Sequence, residues 1–335
     1  MAQLVKMLDY VSRYEQDLSR YTTQFIRLKR SQWERMKRQW DHGVDLAGWQ
    51  HDEAEDGQAE TAAAAAESPE RGNRFFTLSR FLPFRKAEAE PDTIAAAADL
   101  EAAAAEEKLQ FTPNFTTQPR SVQQLRKLYI DQLFHFQLKW ASSTLTEWSN
   151  VDGKYMRDKL LRELLGSLPD SFLVFYYPVL KLKKAPVELE LLILTPVECL
   201  CITVLNGRDG SVFAGSGDRF WVEKIGDRES KILNPTISLN RMAKIVSSLF
   251  AADGIDFPIR KVLLTKDSYL DFPNGAADMQ QVDRRDYPKW FDKMKKLSVP
   301  MKSKQFKAAQ TIFNVCQTTA ASRLFNPEEN GGTDE

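Results

Sequence analysis

The stretch Glu188-Leu-Glu-Leu-Leu-Ile-Leu-Thr-Pro-Val-Glu-Cys-Leu-Cys-Ile-Thr-Val-Leu-Asn206 decides the fold. Apolar and β-branched residues dominate both sides of Thr195-Pro196, which predicts two strands joined by a turn. A helical pattern at 154–165, ended by Gly166, precedes them, and Asn234-Pro235 begins a helix that runs to about residue 251. The alternation predicts an α/β fold, a mixed sheet flanked by helices.

Further elements follow the same alternation along the chain. Strands are predicted at 172–182 and 260–265 and a hairpin over 212–223, since these runs are apolar or β-branched and end at turn residues. Helices are predicted near 287–297 and 302–324. The predicted domain organisation is an α/β domain at 151–280, a helical C-terminal extension at 281–325 and a disordered tail at 326–335.

Two amphipathic helices are predicted on the N-terminal side. Apolar residues recur every three or four positions from Leu4 to Leu28, and again from Val122 to Trp140, where Ser121 and Gln124 suit a capping box. We therefore expect one helix over 1–41 and a second within 111–150, paired as an antiparallel hairpin. Their apolar stripes serve either as internal packing surface or as a coiled-coil seam for self-association or a protein partner.

The segment 42–110 has a different composition from the rest. It carries six Lys or Arg against fifteen Asp or Glu, and it contains alanine runs at 62–66 and 95–98. Such a composition offers too little apolar burial to offset the entropy of ordering, so we expect a disordered Ala/Glu-rich insert.

One aromatic and basic motif stands within this insert at 74–86. Three interpretations remain open: contact with an anionic membrane surface, a protein-binding motif, or docking on the protein's own helices. The residues expected to make that contact are Phe75, Phe76, Arg80, Phe81, Phe84 and Arg85.

Composition excludes several classes of protein. The 46 basic and 46 acidic side chains cancel, so the chain as a whole is not a polycation. The three cysteines cannot form a disulfide framework, and no apolar run reaches the roughly 18 residues that a membrane span needs. We expect a cytoplasmic protein. Zinc sites and catalytic triads are not expected, because the three histidines are scattered at 42, 51 and 135.

A family resemblance rests on four landmarks taken together. They are the strand ending at Thr195-Pro196, the run 199–206, the segment Gly215-Ser-Gly-Asp-Arg-Phe-Trp221, and Asn234-Pro235 at the start of a helix. In order and spacing they resemble the NERD, or nuclease-related, domain over roughly 120 residues. The resemblance implies a restriction-endonuclease-like core, whose active members cut nucleic acid with a metal ion.

The resemblance also indicates which positions would carry catalysis. The family's first-strand Asp falls on Glu190, and its Glu-x-Lys pair falls on Thr203 and Leu205. A helix acid aligns with Arg157, and a Gln of the later helix aligns with Ser238. Thr203 and Leu205 share one strand face and supply neither a second anionic ligand nor a positive charge. We therefore expect no catalytic residues, no metal and no cofactor.

The predicted function is a non-catalytic binding or scaffold role, a pseudoenzyme, with Glu190, Asp218 and Arg219 as candidate binding residues. Asp218 and Arg219 are expected to form a local ion pair. The alternative is a Mg²⁺-dependent nuclease with a rearranged site centred on Glu190, to which Glu188 and Glu198 would contribute.

A basic stretch near the C-terminus gives a second route to nucleic acid. Seven lysines between 289 and 307 alternate with Trp290, Phe291 and Phe306. This pattern suits either phosphate and base contacts or an ordinary solvated helix face.

Overall fold

A six-stranded mixed sheet forms the centre of the structure, a computed structural model that describes residues 1–46, 111, 113–182, 185–273, 277–319 and 322–323. The strands are β1 (Gln3–Met7), β2 (Glu147–Trp148), β3 (Leu173–Tyr176), β4 (Val179–Lys181), β5 (Pro186–Glu188), β6 (Leu191–Leu194), β7 (Cys199–Val204), β8 (Val212–Ala214), β9 (Phe220–Ile225), β10 (Arg228–Leu233), β11 (Ile259–Leu264), β12 (Tyr269–Asp271), β13 (Met279–Val282) and β14 (Ser322–Arg323). The helices are α1 (Leu18–Asp41), α2 (Val122–Trp140), α3 (Gly153–Met156), α4 (Lys159–Ser167), α5 (Pro235–Ala252), α6 (Tyr287–Lys295) and α7 (Ser303–Asn314).

The central sheet has the strand order β1-β3-β6-β7-β11-β13. Strands β3, β6 and β7 are antiparallel neighbours, whereas β1 pairs parallel with β3, and β11 pairs parallel with both β7 and β13. A smaller sheet has the order β10-β9-β8-β12, and β4 with β5 and β14 with β2 form short two-stranded ladders. The predicted α/β class with a mixed sheet is confirmed.

Helices cover both faces of the central sheet. Because side chains alternate along a strand, Cys199 and Cys201 face one apolar cluster, while Leu200 and Ile202 face another. The first cluster includes residues of α1, α2, α5 and α7, and the second includes residues of α4, α6 and the other side of α2. None of the helices in the described residues is both long and apolar enough to cross a bilayer.

Helices α1 and α2 form the predicted antiparallel pair. The Trp40 indole near the end of α1 donates to the Pro119 carbonyl just before α2, at 2.9 Å. At the other end, the Tyr21 and Trp140 rings lie 6.1 Å apart. Ser121 caps α2 by accepting from the Gln124 amide, as expected. Both helices bury their apolar stripes in the first cluster, so the packing interpretation of these stripes accounts for them.

The prediction of a single helix over 1–41 is wrong at its start. Residues 3–7 form β1, and Leu8 follows with a φ of 49°, so the helix begins only at Leu18. The spacing of Leu4 and Leu8 also suits a helix, but pairing of β1 with β3 imposes the extended state. Asp17 caps α1 by accepting from the Arg20 amide at 2.8 Å.

Other predicted elements differ in extent. The helix over 154–165 divides into α3 and α4, because Asp158 accepts from the Leu161 amide and starts a new helix. The strand over 172–182 divides at Tyr177, whose φ of 50° turns the chain. The helix predicted to reach residue 324 ends at Asn314.

The C-terminal extension is not purely helical. Strand β13 is the edge of the central sheet, and the apolar residues of α6 belong to the second cluster. Strands β1, β2, β10, β12, β13 and β14 were not among the predicted elements, and β14 lies where a helix was predicted. The insert from residue 47, including the 74–86 motif, and the tail at 326–335 lie outside the described residues.

Candidate functional site

Glu190 lies at the start of β6 and connects two neighbouring elements. Its Oε1 accepts hydrogen bonds from the Thr203 hydroxyl of β7 at 3.1 Å and from the Ser238 hydroxyl of α5 at 2.8 Å. Its Oε2 accepts from the Val204 amide at 3.2 Å. The three positions picked out by the family resemblance, Glu190, Thr203 and Ser238, therefore meet in space, and both carboxylate oxygens have donors.

The N-terminal turn of α5 positions the Ser238 hydroxyl against the Glu190 carboxylate. Asn234 caps the helix by accepting from the Thr236 amide at 3.0 Å, and Pro235 occupies the first turn. Asn234 also donates to the Asp218 carbonyl at 2.8 Å, which attaches the 215–218 turn to the helix. Ser238 lies in the first turn and thus brings the positive end of the helix dipole toward Glu190.

Burial and hydrogen bonding act in opposite directions on Glu190. Burial raises its pKa above the ordinary value, and this effect exceeds the lowering by the Ser238, Thr203 and Val204 donors and by the charge of Arg241. Glu190 in turn acts on Tyr177, whose amide donates to the Glu190 carbonyl at 2.7 Å. Burial, followed by the charges of Glu190 and Asp158, raises the pKa of Tyr177 to about 12.

A cleft of about 650 Å³ adjoins this cluster. It opens where β7 and β11 end and α4 begins, and Val204 and Leu205 form part of its wall. Leu205 occupies the place of the lysine in the family resemblance, and it also packs against the first apolar cluster. The position therefore provides packing and no charge.

Asp158, at the start of α4, also lines this cleft. The resemblance aligns the helix acid with Arg157, one residue earlier, and both residues line the cleft. Asp158 accepts from the Tyr176 hydroxyl at 2.5 Å and from the Leu161 amide at 3.1 Å. The sequence signal for it is an Asp directly before Lys159-Leu-Leu, a helix N-cap pattern. Its carboxylate, like that of Glu190, accepts hydrogen bonds from the protein itself.

Three cationic side chains also line the cleft. Lys266 forms an ion pair with Glu163 of α4. Arg157 and Lys159 are exposed and form no ion pair within the described residues. The cleft thus combines positive charge at its rim with the hydrogen-bonded carboxylate of Asp158 and the exposed carboxylate of Asp267.

The three carboxylates of the rearranged-nuclease alternative do not converge. Glu198 follows β6, roughly 13 Å or more along the strand from Glu190, and pairs with Arg260 at 2.8 Å. Glu188 is exposed at the end of β5. No group of three His, Cys, Asp or Glu side chains within the described residues is arranged to hold a metal ion.

The predicted ion pair between Asp218 and Arg219 is wrong. The Asp218 carboxylate accepts from the Ser216 hydroxyl at 3.0 Å, while the Arg219 guanidinium lies 5.7 Å from the Phe220 ring centroid. Both side chains are exposed, and neither has a contact with Glu190. The turn owes its geometry to Ser216 and Asn234.

The aromatic residues of the C-terminal basic stretch and the described histidines, His42 and His135, lie apart from Glu190 in other parts of the fold. Trp290 and Phe291 are buried in the second apolar cluster, so they present no ring between the C-terminal lysines for a base to stack on. His42 is exposed just after α1. His135 lies on α2, where burial and then the Arg162 charge lower its pKa.

Comparison with known proteins gives one short match. No protein-family profile matches the chain, and no solved structure matches it significantly. A stretch of 48 residues, 14% of the chain, is 50% identical to an RNA 2',3'-cyclic phosphodiesterase of Geobacillus stearothermophilus. The match covers 15% of that protein's length, so the chain spans only a small part of it.

Proposed function

We propose that this chain is a non-catalytic binding or scaffold protein built on a nuclease-like sheet. One observation carries the proposal: both oxygens of Glu190 accept hydrogen bonds from side chains and backbone of neighbouring elements. A metal ligand must direct lone pairs at the ion, and three of the roughly four lone pairs of the Glu190 carboxylate already accept hydrogen bonds, which leaves one on Oε2. Burial also raises the pKa of Glu190, which makes its charged form less favourable than it is in water.

The surrounding residues support the same conclusion. A water-activating lysine would have to stand at Leu205, and an apolar side chain there cannot orient or deprotonate water. Thr203 replaces a possible anionic ligand with a hydroxyl that donates to Glu190. In this proposal the former catalytic positions connect β6, β7 and α5, and they hold the wall of the cleft in place.

The proposal is tested by incubating the full chain with single- and double-stranded DNA and RNA, in Mg²⁺, Mn²⁺ or chelator. RNA ending in a 2',3'-cyclic phosphate is included, because of the 48-residue similarity to a phosphodiesterase. We expect no cleavage under any condition. Calorimetric titration with Mn²⁺ should likewise show no binding that depends on Glu190.

The matched variants are Glu190→Ala and Glu188→Ala, which remove a partly buried carboxylate directly before β6 and an exposed carboxylate at the end of β5. Metal-dependent cleavage that is lost in Glu190→Ala and kept in Glu188→Ala would overturn the proposal. Such a result would establish instead a nuclease with a rearranged carboxylate site.

A further inference from the structure

A second cavity, of about 290 Å³, lies between α1, α2 and the C-terminal turn of α4. Its wall includes Met1, together with Lys29 and Arg30 of α1 and Arg126 of α2, and none of the described residues that line it carries a carboxylate. It shares no lining residue with the cleft beside Glu190.

One of the three cations is already neutralised. Lys29 is largely buried, with its side chain 14% exposed, and its Nζ lies 2.7 Å from Asp170 Oδ2. Burial acts to raise the pKa of Asp170, but this ion pair lowers it overall, so the pair is charged. Arg30 and Arg126 are exposed and have no ion pair in the part of the chain that the structure describes. The cavity therefore keeps two uncompensated guanidinium groups.

The inner surface of the cavity is aromatic and aliphatic. The Trp33 and Tyr129 rings lie 5.3 Å apart at 49°, and the Tyr129 hydroxyl donates to the Lys29 carbonyl at 2.6 Å. Ile130 adds an aliphatic side. Gly166 closes the third side, where an added Cβ would lie only 3.4 Å from Ile130 Cγ2. A larger residue there would fill space that the glycine leaves open.

We propose that this cavity binds a small organic anion with an aromatic body. A guanidinium binds planar or tetrahedral oxyanions through paired hydrogen bonds, so Arg30 and Arg126 take the charged group. The partly buried ring of Trp33 takes the body of the ligand, over a floor formed by Tyr129, which is only 3% exposed. The cavity volume equals that of about ten water molecules at ~30 Å³ each, which suits a ligand of one to three rings. This inference does not rest on the function proposed above.

The test compares two probes that differ in charge. The first is 1-anilinonaphthalene-8-sulfonate, and the second is N-phenyl-1-naphthylamine, the same ring system without the sulfonate. Isothermal titration of the full chain should show one site for the sulfonate probe. The neutral probe should bind at least about tenfold more weakly, the factor that one lost charged hydrogen bond gives.

Charge reversal identifies the site. Arg30→Glu and Arg126→Glu should each weaken the sulfonate probe about tenfold or more and leave the neutral probe unchanged, which also shows that the fold persists. Arg27→Glu and Lys127→Glu are matched controls, because these side chains are exposed on the same helices outside the cavity. The controls should alter the affinity by no more than about twofold.

Three results would overturn the proposal. Equal affinity for both probes would mean ordinary hydrophobic adsorption. An affinity for the sulfonate probe unaffected by Arg126→Glu would place its binding elsewhere. A loss in the controls as large as in Arg30→Glu would mean general attraction to a basic surface rather than a site.

Discussion

Strands β1 and β6 flank β3 in the central sheet. Lys6 lies in β1 and Glu190 directly before β6, and the two side chains have different kinds of hydrogen-bond partner. Lys6 is fully buried, and its Nζ donates to Glu15 Oε1 at 2.7 Å, to the Tyr10 carbonyl at 2.6 Å and to Thr318 Oγ1 at 2.9 Å. Within the described residues, the donors that reach the Glu190 carboxylate are all neutral.

The difference shows what each residue contributes to the fold. All three protons of the Lys6 ammonium have acceptors, including a carboxylate, so the charged form is the one that fits. The same contact attaches the segment after α7 to the N-terminal region, since Thr318 also donates to Glu15 at 2.7 Å. Glu190 instead joins β6, β7 and α5 with a group for which charge is unfavourable.

The largest effect is expected from Lys6→Met. Methionine keeps much of the aliphatic volume, but it leaves Glu15 without its counter-charge and the Tyr10 carbonyl without a donor. Removing one partner of a buried ion pair costs about 3 to 5 kcal/mol, and we expect about 3 because the Glu15 side chain is 28% exposed. Denaturant unfolding measures the change. The exposed Lys37→Met of α1 is the control and should stay within about 0.5 kcal/mol of the parent.

A smaller effect is expected from Glu190→Ala. The substitution deprives the Thr203 and Ser238 hydroxyls and the Val204 amide of their shared acceptor, and it costs about 2 kcal/mol. Glu198→Gln is the control at the other end of β6, because its partner Arg260 is 52% exposed and such pairs contribute about 0 to 1 kcal/mol. Equal losses in the two variants would contradict the structural role assigned to Glu190.

The sequence predicts those strands and helices whose signals lie in adjacent residues. The strands around Thr195-Pro196 and the helix at Asn234-Pro235 follow from adjacent residues, so they were predicted within a few residues. Strand β1 pairs with β3, about 170 residues later, and no local pattern reports that pairing. The left-handed φ of Tyr177 likewise lacks a local signal.

Part of the candidate site was also predicted, from the family resemblance rather than from local sequence patterns. The meeting of Glu190, Thr203 and Ser238 was indicated by a family resemblance, because sequence spacing alone does not bring residues 190 and 238 together. Asp158 was missed because the resemblance directed attention to Arg157, although the N-cap pattern of Asp158 was readable. Lys6 was missed because a single lysine in an apolar stretch gives no sign of partners as distant as Thr318.

The smallest expected effect is the change with pH in the stability difference between the parent protein and Glu190→Gln. Glu190 is partly buried, and because burial raises its pKa it binds its proton more tightly in the folded state than in the unfolded state, where its pKa is near 4.5. The stability that Glu190 contributes is therefore fully present below pH 4.5, and part of it is lost as the pH rises through the folded pKa.

Glutamine does not titrate, so the stability deficit of Glu190→Gln should be largest in acid and shrink as the pH rises. Unfolding free energies of both proteins between about pH 4 and pH 8 measure this difference, in which every other titrating group cancels. A deficit that grows with pH would mean that the folded state favours the Glu190 carboxylate anion. That outcome would mean that the Ser238, Thr203 and Val204 donors and the charge of Arg241 outweigh burial. A shrinking deficit would mean that burial dominates, which distinguishes Glu190 from Lys6, whose ammonium has a carboxylate partner.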